Sequence, residues 1–127
     1  MSEMEFISLE FERCKPWIAA ALEYAGGTHG IEHIREAVLR GDLQLWPGNS
    51  SAIVTEIEQY PLKRCVNFFL AGGDIHELEA MTPRIENWAK EQWGCSSAKL
   101  TGRHGWQRTF LRECGYEPKW TVLGKDL

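Results

Sequence analysis

The stretch "SSAKLTGRHGWQRTFLRECGYEPKW", Ser96 to Trp120, decides how the rest of the chain is read. "SAKL" has the length of a short strand. Trp106, Phe110 and Cys114 then recur at i, i+4 and i+8, the spacing of one helix face. "KWTVLGK" carries the aromatic and β-branched residues of a returning strand. The glycines around the helical segment fit tight turns into and out of it, where glycine relieves steric conflict. The stretch therefore predicts strand, helix, strand, with Arg103, Arg108 and Arg112 on or beside the helix.

Moving toward the N-terminus, "GGDIHELEAMTPRIENWAKEQWG" places Leu78, Met81, Ile85 and Trp88 on one helical stripe, with Gly94 as the stop. Pro83 interrupts it, so either the helix kinks or Thr82 caps a second helix that starts at Pro83. Before this, the pattern has period two. "LQLW", "AIVTEIEQY" and "CVNFFLA", separated by the turns "PGNSS" and "PLKR", predict three antiparallel strands, the third central because it has few polar residues. Further back, "HGIEHIREAVLRG" reads as a helix capped by Thr28 and ended by Gly41. "WIAAALEYA" reads as a helix entered at Pro16 and stopped by Gly26 and Gly27. "EFISLEF" reads as a first strand, with Phe6, Ser8 and Glu10 opposite Ile7, Leu9 and Phe11. The order β, α, α, β, β, β, α, β, α, β predicts one mixed α/β domain over residues 1–127.

Composition bounds the function. A hydrophobic fraction of 43% with 25% charged residues is that of an ordinary globular chain. A net charge of −4 argues against extensive non-specific binding to nucleic acid, which needs a basic surface. No apolar run approaches the roughly 20 residues that span a bilayer, and the acidic start "MSEMEF" lacks the positive region of a signal peptide. The expected location is the cytoplasm, with no membrane contact. Cys14, Cys65, Cys95 and Cys114 are scattered without a CxxC pair, so reduced and mostly buried thiols are expected, and no metal. His29 and His33 are four apart, but no Glu follows His29 and no third ligand is near, so they read as helix-start and surface histidines.

This order of elements, with "FLAGG" after the third antiparallel strand and "GRHGWQR" and "GY" near the end, resembles the GNAT N-acetyltransferase superfamily over nearly the whole chain. More narrowly, it resembles small GNAT-like proteins encoded by tailed phages and prophages, which would extend the location to the host cytoplasm or the virion. The resemblance implies a mostly antiparallel, splayed sheet with flanking helices. The strands Cys65–Ala71 and Ser97–Leu100 would part into a cleft for acetyl-CoA, its pyrophosphate meeting Leu70, Ala71, Gly72 and Gly73. Glycines let backbone N–H groups approach phosphate, and a helix start favours an anion.

The chain also departs from the family pattern. The family's phosphate loop, Arg/Gln-x-x-Gly-x-Gly/Ala, is shortened here to "LAGGD". Asp74 and Glu77 can form a reciprocal cap, which sets a carboxylate where a phosphate would bind. The family's catalytic Glu and Tyr have no counterpart, because the strand Cys65–Ala71 offers Asn67 and no acid, and Leu111 holds the Tyr position. The remaining catalytic candidates are Asn67, His104 and Glu56, with Glu58 beside the last. Arg103, Arg108 and Arg112 form either a solvated face or a site for an anionic partner or acidic protein surface. The expectation is a GNAT-like protein with degenerate acetyl-CoA and catalytic motifs that serves as a binding or virion-associated component and contacts another protein. The alternative is an acetyl-CoA-dependent N-acyltransferase acting on a small-molecule or protein amine.

Overall fold

The computed structural model describes residues 1–127. It contains α1 (Glu3–Leu22), α2 (Ile31–Arg40), β1 (Gln44–Pro47), β2 (Ser51–Gln59), β3 (Arg64–Gly73), α3 (Ile75–Trp93) and β4 (Ser97–Leu100), then a 3-10 turn at His104–Arg108. This is a mixed α/β architecture of three α-helices on a four-stranded sheet.

The predicted first strand is instead the start of α1. Phe11, Cys14 and Ile18 recur every three or four residues and are buried, while Phe6 and Leu9 are 52% and 58% exposed. Only the helical period gathers the core residues onto one face. Ser2 caps the helix: its Oγ accepts the Glu5 N–H at 3.1 Å and donates to Glu5 Oε1 at 3.2 Å. Pro16 lies inside α1 rather than at its first turn, between the buried Cys14 and Ile18 that hold both sides against the sheet.

Two other caps differ from expectation. Gly30, not Thr28, precedes α2, and its N–H donates to His33 Nδ1 at 2.9 Å. Thr82 does not start a second helix. Its hydroxyl donates to the Leu78 carbonyl at 2.8 Å, and α3 runs unbroken through Pro83. Gly41 and Gly94 end their helices in left-handed conformations, as read from the sequence.

The strand order is β1-β2-β3-β4. The first three strands are antiparallel, and β4 lies parallel to β3 after the α3 crossover. One face packs Ala52, Val54 and Leu70 against α1 and α2 through Phe11, Ile18, Ile34 and Val38. The other packs Ile53, Val66 and Phe68 against Leu78, Met81, Ile85 and Ala89 of α3. Between β2 and β3 the register slips: Val54 pairs with Leu70 and Thr55 with Phe68, which leaves Phe69 as an extra residue.

The predicted last helix and last strand do not form. After the 3-10 turn, the Thr109 hydroxyl donates to the Trp106 carbonyl at 2.8 Å and accepts the Leu111 N–H at 3.3 Å. These bonds compete with continued helix. Leu111 is buried and Cys114 exposed, the reverse of the predicted stripe. Trp106, Phe110 and Tyr116 are partly buried against the α3-side core. Trp120, Val122 and Leu123 lie outside any strand and are 76%, 81% and 92% exposed. No helix is long and apolar enough to cross a membrane.

Candidate functional site

At its C-terminal end β3 passes to α3 through Asp74 alone. A Cβ on Gly72 would collide with the Trp17 carbonyl of α1, and one on Gly73, whose φ is +108°, would collide with the Ser50 carbonyl. The close approach of α1 and of the β1–β2 hairpin therefore accounts for both glycines. Leu70 is buried in the core, and Ala71 is partly buried on the α3 side.

Asp74 caps α3 as read from the sequence: its Oδ1 accepts the His76 N–H at 2.9 Å, and its own N–H donates to the Ser50 carbonyl at 3.0 Å. Glu77 does not complete a reciprocal cap. It reaches across to the hairpin, accepting the N–H groups of Asn49 at 3.0 Å and Ser50 at 2.8 Å together with the Ser51 hydroxyl. The Ser51 bond first, then those to the backbone, hold the Glu77 carboxyl below the usual carboxylate range. Arg13 adds a bond to the Gly48 carbonyl at 2.8 Å. A pyrophosphate here would face the Asp74 and Glu77 carboxylates over glycine faces already filled by backbone. The segment does not fit the pyrophosphate of CoA.

The middle of β3 is different. Asn67 is 8% exposed; its Nδ2 donates to Glu56 Oε1 across the strands at 3.0 Å, and its Oδ1 is buried without a partner. β4 pairs with β3 from Cys65 to Phe68, and the ladder ends where β4 ends at Leu100, one residue before the bulge residue Phe69. Glu56 and Phe69 line a groove of about 450 Å³ whose opposite wall carries His29, His33, Glu36 and Arg40. His29 meets the Phe69 ring edge-on at 5.2 Å. Arg40 is paired with Asp42 at 3.0 Å, whereas Glu36 and Glu56 have no ion-pair partner. Glu58 instead pairs with Lys99 at 2.9 Å, and that bond raises the Lys99 pKa.

The groove thus gathers hydrogen-bond acceptors and unpaired carboxylates suited to a cationic or hydrogen-bond-donating group. No three His, Cys, Asp or Glu side chains converge on a metal-holding position. Of the catalytic candidates, the fold joins Glu56 to Asn67. His104 lies apart from the groove lining, exposed and 3.3 Å from Gln107 Nε2. The Glu56–Asn67 pairing depends on the β2–β3 register, which no local motif announces.

The arginines are not on one helix. Arg103 precedes the 3-10 turn and stacks over Tyr24 at 3.9 Å. Arg108 closes the turn and Arg112 follows it, both exposed and without ion pairs. The Tyr116 hydroxyl donates to Glu86. Burial, then that hydrogen bond, pushes its ionisation well above the usual tyrosine range. The "GY" pair therefore fastens the C-terminal segment to α3.

No protein-family model matches the chain, and no curated protein does. Among solved structures it is similar to TTHA1254 from Thermus thermophilus, both as the wild type (TM-score 0.60, 14% identity) and as an isoleucine-to-methionine mutant (TM-score 0.62, 13% identity). Each comparison covers 92% of both chains, and at this identity the likeness is one of fold: the chain shares the architecture of TTHA1254.

Proposed function

We propose that the protein is a GNAT-like binding component, of the virion-associated phage type, that contacts a protein partner and does not use acetyl-CoA. The observation that carries this reading is the one-residue connection at Asp74. It leaves no loop to cradle a phosphate, it presents a carboxylate at the helix start, and the glycines before it are packed against backbone. The absence of an acid on β3 and the burial of Leu111 at the family's Tyr position agree with it.

Two surfaces suit a partner. The groove lined by Glu36 and Glu56 accepts donor or cationic side chains. Arg108 and Arg112 offer cations to acidic ones. A second reading, an acetyl-CoA-dependent N-acyltransferase for a small-molecule or protein amine, draws on a specific observation: β3 runs on past the end of β4 at Phe69, which lines the same groove as the Glu56 carboxylate.

Calorimetric titration of acetyl-CoA and CoA, with thermal unfolding in parallel, separates the two. No heat and no rise in melting temperature at millimolar ligand is the expected result. Micromolar binding, about −8 kcal/mol, with a ligand-dependent rise in melting temperature, would overturn the non-catalytic reading.

A further inference from the structure

We propose that the β2–β3 turn and the end of α3 form a binding site for a carboxylate carried on an apolar group, either a free organic acid or the carboxyl end of a polypeptide. The inference goes beyond the proposed function and does not rest on it.

A pocket of about 340 Å³ opens there between Pro61, Leu62, Lys63 and Arg64 on one side and Trp93 on the other. It sits at the opposite end of β3 from the Asp74 junction and shares no lining residue with the groove at Glu56. Its walls are apolar and held in place. The Tyr60 N–H donates to the Lys63 carbonyl at 2.8 Å, which fixes Pro61 and Leu62 between the two strands. Proline supplies a preset φ to that turn, but neither turn chemistry nor the core uses the leucine, which is 98% exposed. Trp93 is 45% exposed, and Trp88 braces its ring edge-on at 6.3 Å.

The polar part of the pocket is cationic. Arg64 Nε donates to Gln59 Oε1 and Nη1 to the Trp93 carbonyl, both at 2.6 Å, so the guanidinium is fixed while Nη2 has no partner in the chain. The carbonyl end of α3 offsets part of the Arg64 charge. Lys63 adds a second cation, exposed and without an ion pair. No Asp or Glu lines the pocket, although the chain as a whole carries a net charge of −4. A fixed guanidinium edge with a neighbouring ammonium suits a carboxylate. The exposed leucine and the braced indole suit an apolar group attached to it, the combination of apolar walls and few placed polar groups that marks ligand sites.

Titration into the isotope-labelled full chain, followed through the NMR signals of the Trp93 indole and the Arg64 side chain, tests this. The probes are N-acetyl-leucine, its amide, a hexapeptide ending in leucine with a free carboxylate, and inorganic phosphate. Saturable shifts confined to the pocket are expected for both free carboxylates, at about millimolar affinity or tighter, with the amide about tenfold weaker or more. A peptide that binds more tightly than acetyl-leucine identifies a chain end as the source of the carboxylate, and one that binds no more tightly identifies a free acid. Lys63→Glu should weaken both by about tenfold or more at an unchanged melting temperature, whereas Lys63→Arg should not. No saturable shift from either carboxylate would overturn the proposal, as would equal binding of acid and amide, since no charge would then be read. Phosphate binding as tightly as acetyl-leucine would equally overturn it, because the apolar walls would contribute nothing.

Discussion

The two parts of β3 differ in how completely their polar groups are used. At Gly72–Asp74 the backbone N–H of Asp74, the Asp74 carboxylate and the nearby Glu77 carboxylate all have partners, and neighbouring backbone fills the glycine faces. At Asn67–Phe69 an acceptor is buried without a donor, the pairing with β4 ends and Phe69 lines a groove. Glycines at a strand-to-helix junction are therefore weaker evidence for a ligand than one unpartnered polar atom. The first can be explained by packing, while the second costs free energy until something binds it.

The most severe test of this contrast is Gly73→Ala. Its positive φ and the close approach of the Ser50 carbonyl leave no room for a methyl group, so a loss of about 3 kcal/mol or more is expected in urea unfolding. A loss under about 1 kcal/mol would show that the junction is loose enough to admit a ligand.

A smaller effect is expected from acid. The Glu77 carboxyl is held below its ordinary value of 4.5 by Ser51, Ser50 and Asn49. Its contribution to stability is thus present above that value and lost as pH falls through the lower folded-state one. Glu77→Gln should lower the melting temperature at neutral pH and flatten the acid limb of the stability profile. An unchanged acid limb would mean that the hairpin bonds are not maintained in solution.

The least cost is expected at the open part of the strand. Asn67→Leu loses the bond to Glu56 but also removes the unpartnered acceptor, so stability should change by about 1 kcal/mol or less. A loss of several kcal/mol would show that Asn67 Oδ1 is satisfied in solution and that the contrast between the two regions is false.

How much of the fold is legible in the sequence depends on how local each decision is. The β1–β2 and β2–β3 hairpins, α2, α3 and the stops at Gly41 and Gly94 follow from patterns within a few turns of chain. "EFISLEF" alternates and also fits a helical period. Extending the window to Cys14 and Ile18, with the cap at Ser2, identifies the helix that a seven-residue window hides. The segment after Leu100 reads as helix and strand but forms neither; the helix gives way where Thr109 satisfies backbone groups locally, which a residue stripe does not reveal.

Local pattern and residue identity are enough for the mixed α/β class, the three-strand antiparallel run, the cap at Asp74 and the lack of an acid on β3. They do not reveal that Glu77 grips the hairpin 26 to 28 residues away, that Gly72 lies under α1, or that Asn67 meets Glu56 while keeping its oxygen free. Those outcomes belong to the tertiary structure, since they depend on strand register and helix placement. Both are set by burial of the two opposite sheet faces, a property of the whole chain rather than of any short stretch.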